Sequence, residues 1–331
     1  MSEDKDNGMV LRCASCGIAE VDSIKLKNCD ACDLVRYCSN ECQRHHWSKH
    51  KRDCKKRVAE LRDELLFRQP ESTHLGDCPI CMIPLSLDRS KSTIMSCCSK
   101  VICIGCTYAN HKREVEMRLE RVCPFCREPT PETLEQSDKL RMKRVEANDP
   151  FATSQEGEIQ YKKGDYKKSF EYWTKAAELG DAEAHLGLAF LNFRRGIEKK
   201  ERGKPVKAMC HMEEAAIGGF PEARHQLGYI EWEYGNTERA VKHWLIAAAQ
   251  GHNNSTTSLR EGFVKGAVEK DTFAAALRAH QVTVNATKSS QREIAEEECH
   301  RQRANKSYSG GIVWPQFFSQ TNQYQNVGKK G

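Results

Sequence analysis

The chain of 331 residues has no apolar run of about 18 residues, the minimum that an α-helix needs to cross a bilayer. Its first ten residues, MSEDKDNGMV, contain neither the basic nor the apolar region of a secretion signal. These two absences argue against a membrane-spanning or secreted protein. They predict a soluble intracellular protein, in the cytoplasm or the nucleus, without membrane contact.

Catalytic motifs are absent as well. The sequence contains no Ser-His-Asp set, no phosphate-binding glycine loop and no methyltransferase fingerprint. It therefore predicts no catalytic residue that would itself form a bond with a substrate.

Cysteine is scarce in the second part of the chain and abundant in the first. Of 17 cysteines, 15 lie between Cys13 and Cys126, and only Cys210 and Cys299 follow. In a reducing compartment, C-x-x-C pairs indicate metal ligands rather than disulfides. The composition therefore divides the chain near residue 130, and it predicts about four structural zinc ions before that point.

Eight potential zinc ligands lie within residues 13–54, enough for two tetrahedral zinc ions. So short a segment buries too little apolar surface to fold alone, so metal binding and folding should be one event. No coordination position is left for a catalytic water, which makes these zinc ions structural. The ligands are Cys13, Cys16, Cys29, Cys32, Cys38, Cys42, His50 and Cys54.

The spacing of these ligands, with Tyr37 before a cysteine, Gln43, Trp47 and a closing His-x-x-x-Cys, resembles the MYND zinc finger. The resemblance implies that His45 and His46 are not ligands, and that the finger binds short proline-containing peptides of other proteins. The alternative is that the finger serves only as a folding unit. The implied pairing is interleaved, with Cys13, Cys16, Cys38 and Cys42 on one zinc and Cys29, Cys32, His50 and Cys54 on the other.

A second set of eight thiols follows within residues 78–127, with two C-P-x-C pairs and then Arg127 and Pro129. This order resembles a RING finger. The resemblance implies that one zinc is held by Cys78, Cys81, Cys103 and Cys106, and the other by Cys97, Cys98, Cys123 and Cys126.

The middle of this second set departs from the common RING pattern, because Lys100 stands where a ligand histidine is expected. Two alternatives remain open. Either Cys97 and Cys98 both bind the same zinc, which requires a sharp turn, or only one of them binds and the zinc has three protein ligands.

A RING finger recruits a ubiquitin-conjugating enzyme and holds its ubiquitin thioester in a reactive geometry, so the resemblance implies this partner. Family positions correspond to Ile80 and Pro124 as apolar contacts with the enzyme, and to Arg127 as a contact with ubiquitin. A large apolar residue is expected near Asn110, where Tyr108 is the nearest substitute. The alternative is a RING-shaped scaffold that binds no conjugating enzyme.

Alanine-rich amphipathic patterns follow the fingers and repeat internally, with Gly180, Gly219 and Gly251 as anchors. A large residue precedes each anchor by seven positions, and paired alanines precede it by three and four. The phrase K-A-A-E-x-G and this spacing resemble Sel-1-like repeats, which are helix pairs related to tetratricopeptide repeats. The resemblance implies a solenoid whose concave face binds another protein.

The predicted fold is therefore a pair of small zinc-stabilised fingers, MYND-like and RING-like with crossed ligand pairs, followed by an all-α helical-repeat solenoid. The tail contains a polar segment that could form a solvated helix, then a disordered stretch with a weak docking motif at Trp314, Phe317 and Phe318. The predicted ranges are 13–54 for the MYND finger, 55–76 for a helix and linker, 78–127 for the RING finger, 128–150 for a charged connector, 151–283 for the repeats and 284–331 for the tail.

Three functions are compatible with this organisation. The first is a RING-type ubiquitin ligase whose substrate is held by the repeats or the MYND finger, and the second is a non-enzymatic adaptor. The third, nucleic-acid binding, has the weakest support. The formal net charge of +6 counts cysteines as neutral, and 15 thiolates with four divalent ions bring it to about −1. The basic run at residues 49–57 is then best interpreted as solvated cations beside anionic zinc centres.

Overall fold

The computed structural model describes residues 11–198 and 206–305. Two compact units make up the chain, Met1–Arg68 and Gln69–Gly331, and each is described by itself. The first unit contains a short antiparallel pair of strands and one long helix. These elements are β1 (Lys27–Asn28), β2 (Arg36–Tyr37) and α1 (Asn40–Leu66).

Helix α1 is longer than predicted. The helix predicted to follow Cys54 is the second half of a 27-residue helix that begins at Asn40. The hydroxyl oxygen of Ser39 caps its first turn by accepting the N–H of Cys42 at 3.2 Å. The buried core of this unit consists mainly of candidate ligands and Tyr37. Without metal, therefore, it has almost no apolar core to hold it folded.

The second unit starts with a small finger built on a hairpin and a helix. A 3₁₀ turn at Arg89–Lys91 leads into β3 (Ser92–Ile94), which pairs antiparallel with β4 (Val101–Cys103), and α2 (Ile104–Glu116) follows directly. Leu85 and Ile102 are its buried apolar residues, and they lie among the cysteines. The core of this finger, like that of the first unit, therefore consists mainly of cysteines.

Of the ten helices that then follow in the described part of the second unit, the first nine pack one against the next along the chain. The helical-repeat fold predicted from the alanine pattern is confirmed. Their bounds are α3 (Leu134–Glu146), α4 (Pro150–Lys162), α5 (Tyr166–Glu178), α6 (Ala182–Glu198), α7 (Val206–Ile217), α8 (Pro221–Glu233), α9 (Thr237–Ala249), α10 (Asn253–Val264) and α11 (Lys270–Ala286).

The anchor glycines end the first helix of each pair, as the spacing predicts. Gly180, Gly219 and Gly251 have φ values of 91°, 82° and 87°, in the left-handed region that glycine adopts without strain. Six of the residues that recur in phase with them are buried. They are the large residues Trp173, Met212 and Trp244, and the small residues Ala184, Ala223 and Ser255.

Helix α4, at the start of the predicted repeat range 151–283, packs on α5 as later helices of the array pack on one another. Trp244 packs against Gly228 of the preceding helix, where an added Cβ would lie 2.4 Å from the ring, and Trp173 meets Gly157 of α4 at 2.6 Å. Each indole N–H donates to the carbonyl oxygen 19 residues before it, at 3.1 Å for Trp173 and 3.3 Å for Trp244. The contact of α4 with α5 is therefore equivalent to the contact of α8 with α9. Since α8 is the second helix of its pair, α4 is the second helix of an additional pair.

The predicted linker between the fingers is anchored to the repeats rather than free. The backbone N–H of His74 donates to the carbonyl of Gly219 at 3.0 Å, and its ring stacks on Phe220 with centroids 3.8 Å apart. Gln250 donates its side-chain N–H to the same carbonyl at 3.2 Å. Burial lowers the pKa of His74 to about 3, so its imidazole is neutral at physiological pH.

The final described helix corrects the prediction that residues from 284 onward form a tail with a solvated helix. α11 continues to Ala286, and α12 (Ser290–Asn305) packs on α2 of the finger. Ala295 is fully buried and Arg292 is 4% exposed. The helix looked solvated because most of its residues are polar, and its partner lies far away in the sequence. The predicted docking motif at Trp314, Phe317 and Phe318 lies outside the described residues.

Three buried polar side chains of α8 and α9 lie near one another. They are Arg224, Glu231 and His243. Burial, reinforced by the positive charges of Arg224 and Arg239, lowers the pKa of His243 to about 3. The unfolded chain takes up a proton here near pH 6.5, whereas the folded chain does so only near pH 3. The stability contributed by His243 is therefore present above pH 6.5 and is lost as the pH falls below that value.

His243→Gln is expected to make the repeats less sensitive to acid. Between pH 7 and pH 5, protonation of His243 in the unfolded chain should lower the unfolding free energy of the wild type by about 2 kcal/mol. The variant lacks this contribution and should lose correspondingly less. Urea unfolding followed by circular dichroism at both pH values measures the difference. His45→Gln, the same exchange at an exposed ring of the first unit, is the control. Equal pH dependence in wild type and His243→Gln would contradict a buried neutral imidazole.

None of the helices in the described ranges combines the length and the apolar character needed to cross a membrane.

Candidate metal centres

The first unit brings its eight candidate ligands into two clusters, in each of which the ligand atoms lie within 4.8 Å of one another. In the first site, Cys16 Sγ and Cys42 Sγ each lie 3.5 Å from Cys38 Sγ. In the second site, Cys29 Sγ lies 4.0 Å from Cys54 Sγ. The members are Cys13, Cys16, Cys38 and Cys42 for the first site, and Cys29, Cys32, His50 and Cys54 for the second.

Aromatic rings pack around His50 of the second site and orient its imidazole. His50 Nε2 lies 3.3 Å from Cys32 Sγ, and the ring of His46 stacks on that of His50 with centroids 5.9 Å apart. The hydroxyl of Tyr37 lies 3.1 Å from Nδ1 of His46. His46, which the MYND resemblance leaves outside the ligand set, therefore supports a candidate ligand rather than pointing into solvent.

The finger at the start of the second unit forms two further clusters of the same size, each made of two cysteine pairs that alternate along the chain. In the third site, Cys81 Sγ lies 3.7 Å from Cys103 Sγ. In the fourth site, Cys126 Sγ lies 3.3 Å from Cys97 Sγ. The members are Cys78, Cys81, Cys103 and Cys106 for the third site, and Cys97, Cys98, Cys123 and Cys126 for the fourth.

A tight turn places the sulfurs of Cys97 and Cys98 in one cluster. Ser99 has a φ of 57°, and its N–H donates to the carbonyl of Met95 at 2.8 Å, which reverses the chain between β3 and β4. This is the sharp turn that ligation by both cysteines requires. Lys100 is exposed and outside the cluster, and its ammonium lies 5.7 Å from the centre of the Phe125 ring.

Four of the five C-x-x-C pairs share one backbone turn, which the sequence does not show, whereas Cys103 and Cys106 lie at the start of α2. The residue after the second cysteine is left-handed, and its N–H donates to the carbonyl of the first cysteine at 2.9 or 3.0 Å. The turn brings both sulfurs of each pair into one cluster and, at Cys13 and Cys29, directs backbone N–H groups at the sulfur of the first cysteine. The left-handed residues are Gly17, Asp33, Met82 and Arg127, with φ values of 76°, 55°, 56° and 67°.

The chemistry of the four clusters fits tetrahedral zinc. A zinc–sulfur bond of about 2.3 Å sets the edge of a ligand tetrahedron at about 3.8 Å, close to the distances of 3.3–4.0 Å found here between ligand atoms. Burial and bonds to Cys32 and Cys29 raise the pKa of Cys54 to about 12, because further negative charge beside a thiolate is unfavourable there. A divalent cation removes that penalty. The four clusters are therefore consistent with about four structural zinc ions.

The three residues predicted to support ubiquitin transfer lie in the C-P-x-C turns or directly after one. Ile80 is 43% exposed, Pro124 is half-buried, and Arg127 is exposed at the left-handed position of the last turn.

Asn110 forms a brace inside the finger rather than an apolar contact. Its side-chain N–H donates to Glu114 Oε1 at 2.7 Å and to the carbonyl of Val122 at 3.3 Å. The buried Glu114 also accepts the N–H of Val122 at 3.0 Å, which ties the last turn to α2. Glu114 was not predicted as a site residue, although it lies four residues from Asn110 on one helix.

The basic run on α1 is exposed, as predicted for solvated cations. Within it, Lys56 Nζ lies 3.9 Å from a Glu60 carboxylate oxygen, and Arg52 Nε lies 3.7 Å from Asp53. Acidic neighbours thus offset part of the positive charge, and exposed pairs of this kind add little stability.

Comparisons with known proteins identify the first unit. Residues 13–54 match the family model described as the MYND finger, so this segment is a MYND finger. A segment of 93 residues, 28% of the chain, is 34% identical to chitin synthase regulatory factor 4 of Schizosaccharomyces pombe. The match spans only 14% of the length of that relative.

Two solved structures resemble the chain more loosely. One is a Sel1 repeat protein from Oxalobacter formigenes, at 21% identity and a TM-score of 0.36, covering 51% of this chain and 66% of that one. The other is a protective antigen of uropathogenic Escherichia coli with an SLR fold, at 18% identity and a TM-score of 0.35, covering 62% and 48%. The helical-repeat fold itself rests on the packing of α3 to α11 described above.

Proposed function

We propose that this protein is a zinc-dependent ubiquitin ligase of the RING type, in which residues 78–127 hold a conjugating enzyme and the repeats or the MYND finger hold the substrate. The observation that carries the proposal is the exposure of Ile80 and Arg127 on turns built around two zinc sites. Zinc fixes the backbone of these turns, so the exposed side chains are presented with little flexibility.

The finger would act by position alone. In the transfer step, a substrate lysine amine attacks the carbonyl of the ubiquitin thioester, and the cysteine thiolate of the conjugating enzyme leaves. The amine loses its proton as the amide forms. The finger contributes no nucleophile to this step. It raises the rate by holding the thioester in a conformation open to attack, an effect that depends on rigid contacts.

A non-enzymatic adaptor is the second candidate, and one observation favours it. Asn110 occupies the position where a large apolar contact is expected, and its amide is bound to Glu114 and Val122. An apolar surface remains at the end of α2 and beyond it, where Val115, Met117 and Leu119 are exposed. Such a surface also suits a protein partner that is not a conjugating enzyme.

Autoubiquitination with a panel of conjugating enzymes tests the proposal. Ile80→Ala and Arg127→Ala are each expected to lower the rate of product formation by about tenfold or more, since one lost contact of about 1.4 kcal/mol has that effect. Leu134→Ala truncates an exposed apolar residue outside the finger and should leave the rate unchanged.

Two results would contradict the proposed zinc-dependent ligase. One is wild-type product no greater than that of the Ile80→Ala and Arg127→Ala double variant with every enzyme of the panel. The other is activity that persists after zinc is removed by a chelator. Zinc content measured beside each assay shows that a loss of activity in a variant is not a loss of metal.

A further inference from the structure

The last described helix lies against the finger because a glycine leaves room for it. A Cβ added at Gly105 of α2 would lie 3.0 Å from Cγ of Arg292 and 3.1 Å from its backbone nitrogen and Cα. Gln291 donates its side-chain N–H to the carbonyl of Gly105 at 3.2 Å. At the edge of this contact, Lys91 Nζ lies 2.9 Å from Glu296. The contact is therefore close-packed and joins segments almost 190 residues apart in sequence.

Arg292 extends from this helix to the first turn of the finger. Its guanidinium donates to the carbonyls of Pro84 and Ile83 at 2.6 and 2.9 Å, and to the carbonyl of Thr287 at 2.7 Å. One of its nitrogens also lies 3.4 Å from Sγ of Cys81, a ligand atom of the third site. Arg292 thus bonds both to a ligand sulfur and to the backbone that follows that ligand.

The charge of the third site explains the presence of a buried cation. Four thiolates around a divalent ion leave an excess of negative charge, larger than at the second site, where His50 replaces one thiolate. Cys78, Cys103 and Cys106 are buried, so water screens this charge poorly. The planar guanidinium meets the charge at Cys81, while its two terminal nitrogens also donate to carbonyls.

We propose that Arg292 is an outer-shell positioning residue of the third zinc site, and that zinc binding there is coupled to the docking of α12. Outer-shell partners orient ligands and stabilise their ionised form. Coupling is reciprocal: zinc at the third site strengthens the docking of α12, and docked α12 slows the loss of that zinc. The proposal concerns metal retention and holds whether or not the finger promotes ubiquitin transfer.

Zinc release from the full chain tests the coupling. Under excess of a colorimetric chelator, Arg292→Ala is expected to release one of the four zinc ions about 10- to 100-fold faster than the wild type. Arg292→Lys keeps the positive charge but not the planar guanidinium, so its rate of zinc release should lie between those of the wild type and Arg292→Ala. Arg301→Ala removes an exposed arginine of the same helix and is the matched control, with release at the wild-type rate.

Hydrogen exchange supplies the second readout and locates the change. In Arg292→Ala, amides of residues 101–106 and 290–301 should exchange faster together, while those of the first unit stay protected. Gly105→Ala keeps Arg292 but pushes α12 outward, and it should accelerate both zinc release and exchange of α12.

Two outcomes would overturn the coupling. One is release of all four zinc ions at wild-type rates in Arg292→Ala while exchange of α12 rises, which would leave Arg292 as a packing residue only. The other is equal acceleration at all four sites, which would indicate a general loss of stability.

Discussion

Cys97→Ser and Cys98→Ser are each expected to lower the zinc content from about four ions per chain to about three. The turn at Ser99 directs both sulfurs into the fourth site, so either change leaves that zinc with three sulfur ligands. Because the apparent free energy of binding at such sites is about 10–16 kcal/mol and is also folding energy, the fourth site should unfold locally. Metal analysis after dialysis measures the content.

The two variants together decide whether adjacent cysteines share one metal. Cys210→Ser, which alters an exposed cysteine outside the four clusters, is the control and should keep the full content. Hydrogen exchange of residues 92–103 should rise in both ligand variants. An undiminished zinc content in only one of them would mean that the other cysteine alone is a ligand, with three protein ligands at the fourth site.

Trp173→Ala is expected to lower the unfolding free energy of the repeats by about 3–5 kcal/mol, the usual loss when a buried aromatic side chain is removed. The indole is 5% exposed and lies between glycines of two helices, Gly157 and Gly187, so its removal leaves a cavity between them. Urea unfolding followed by circular dichroism measures the loss. Tyr229→Ala, at an exposed aromatic residue of α8, should change it by no more than about 0.5 kcal/mol.

A double variant shows that the cause is packing against glycine. A Cβ at Gly187 would lie 2.4 Å from the indole, so Gly187→Ala alone should cost about 1–3 kcal/mol by overpacking. In Trp173→Ala the added methyl group enters the cavity instead. The double variant should therefore be more stable than the sum of the two single losses predicts. Simple additivity would contradict direct contact between these residues.

The anchoring of the finger to the repeats affects both proposed functions. Lys91, Gly105 and the first turn of the finger all contact α12, and the linker at His74 contacts the turn between α7 and α8. A protein held by the repeats would thus stay at a defined distance from the finger. For a ligase this restricts which substrate lysines reach the thioester, and for an adaptor it fixes the separation of two partners.

The spacing of the cysteines along the chain made the metal sites predictable from the sequence. The residues that pack around those sites could not be predicted in this way. A zinc site draws its ligands from short C-x-x-C pairs, so the count and the spacing of cysteines carried enough information for four clusters. The turn at Ser99 was required by the geometry of Cys97 and Cys98 but not visible in the residues themselves. The brace of Asn110 and Glu114 was visible as a helical spacing, yet only its contact with Val122 shows what it does.

By itself, the sequence determined that the chain begins with zinc fingers and continues as helix pairs, because ligand spacing and the repeat of glycine, alanine and tryptophan act over short distances. Only the tertiary structure decided which helix packs against Trp173 and that α12 returns to the finger. Those contacts depend on Gly157 meeting Trp173 and on Gly105 meeting Arg292. Complementarity between distant residues follows no period in the sequence, so it becomes visible only when the folded chain brings their surfaces together.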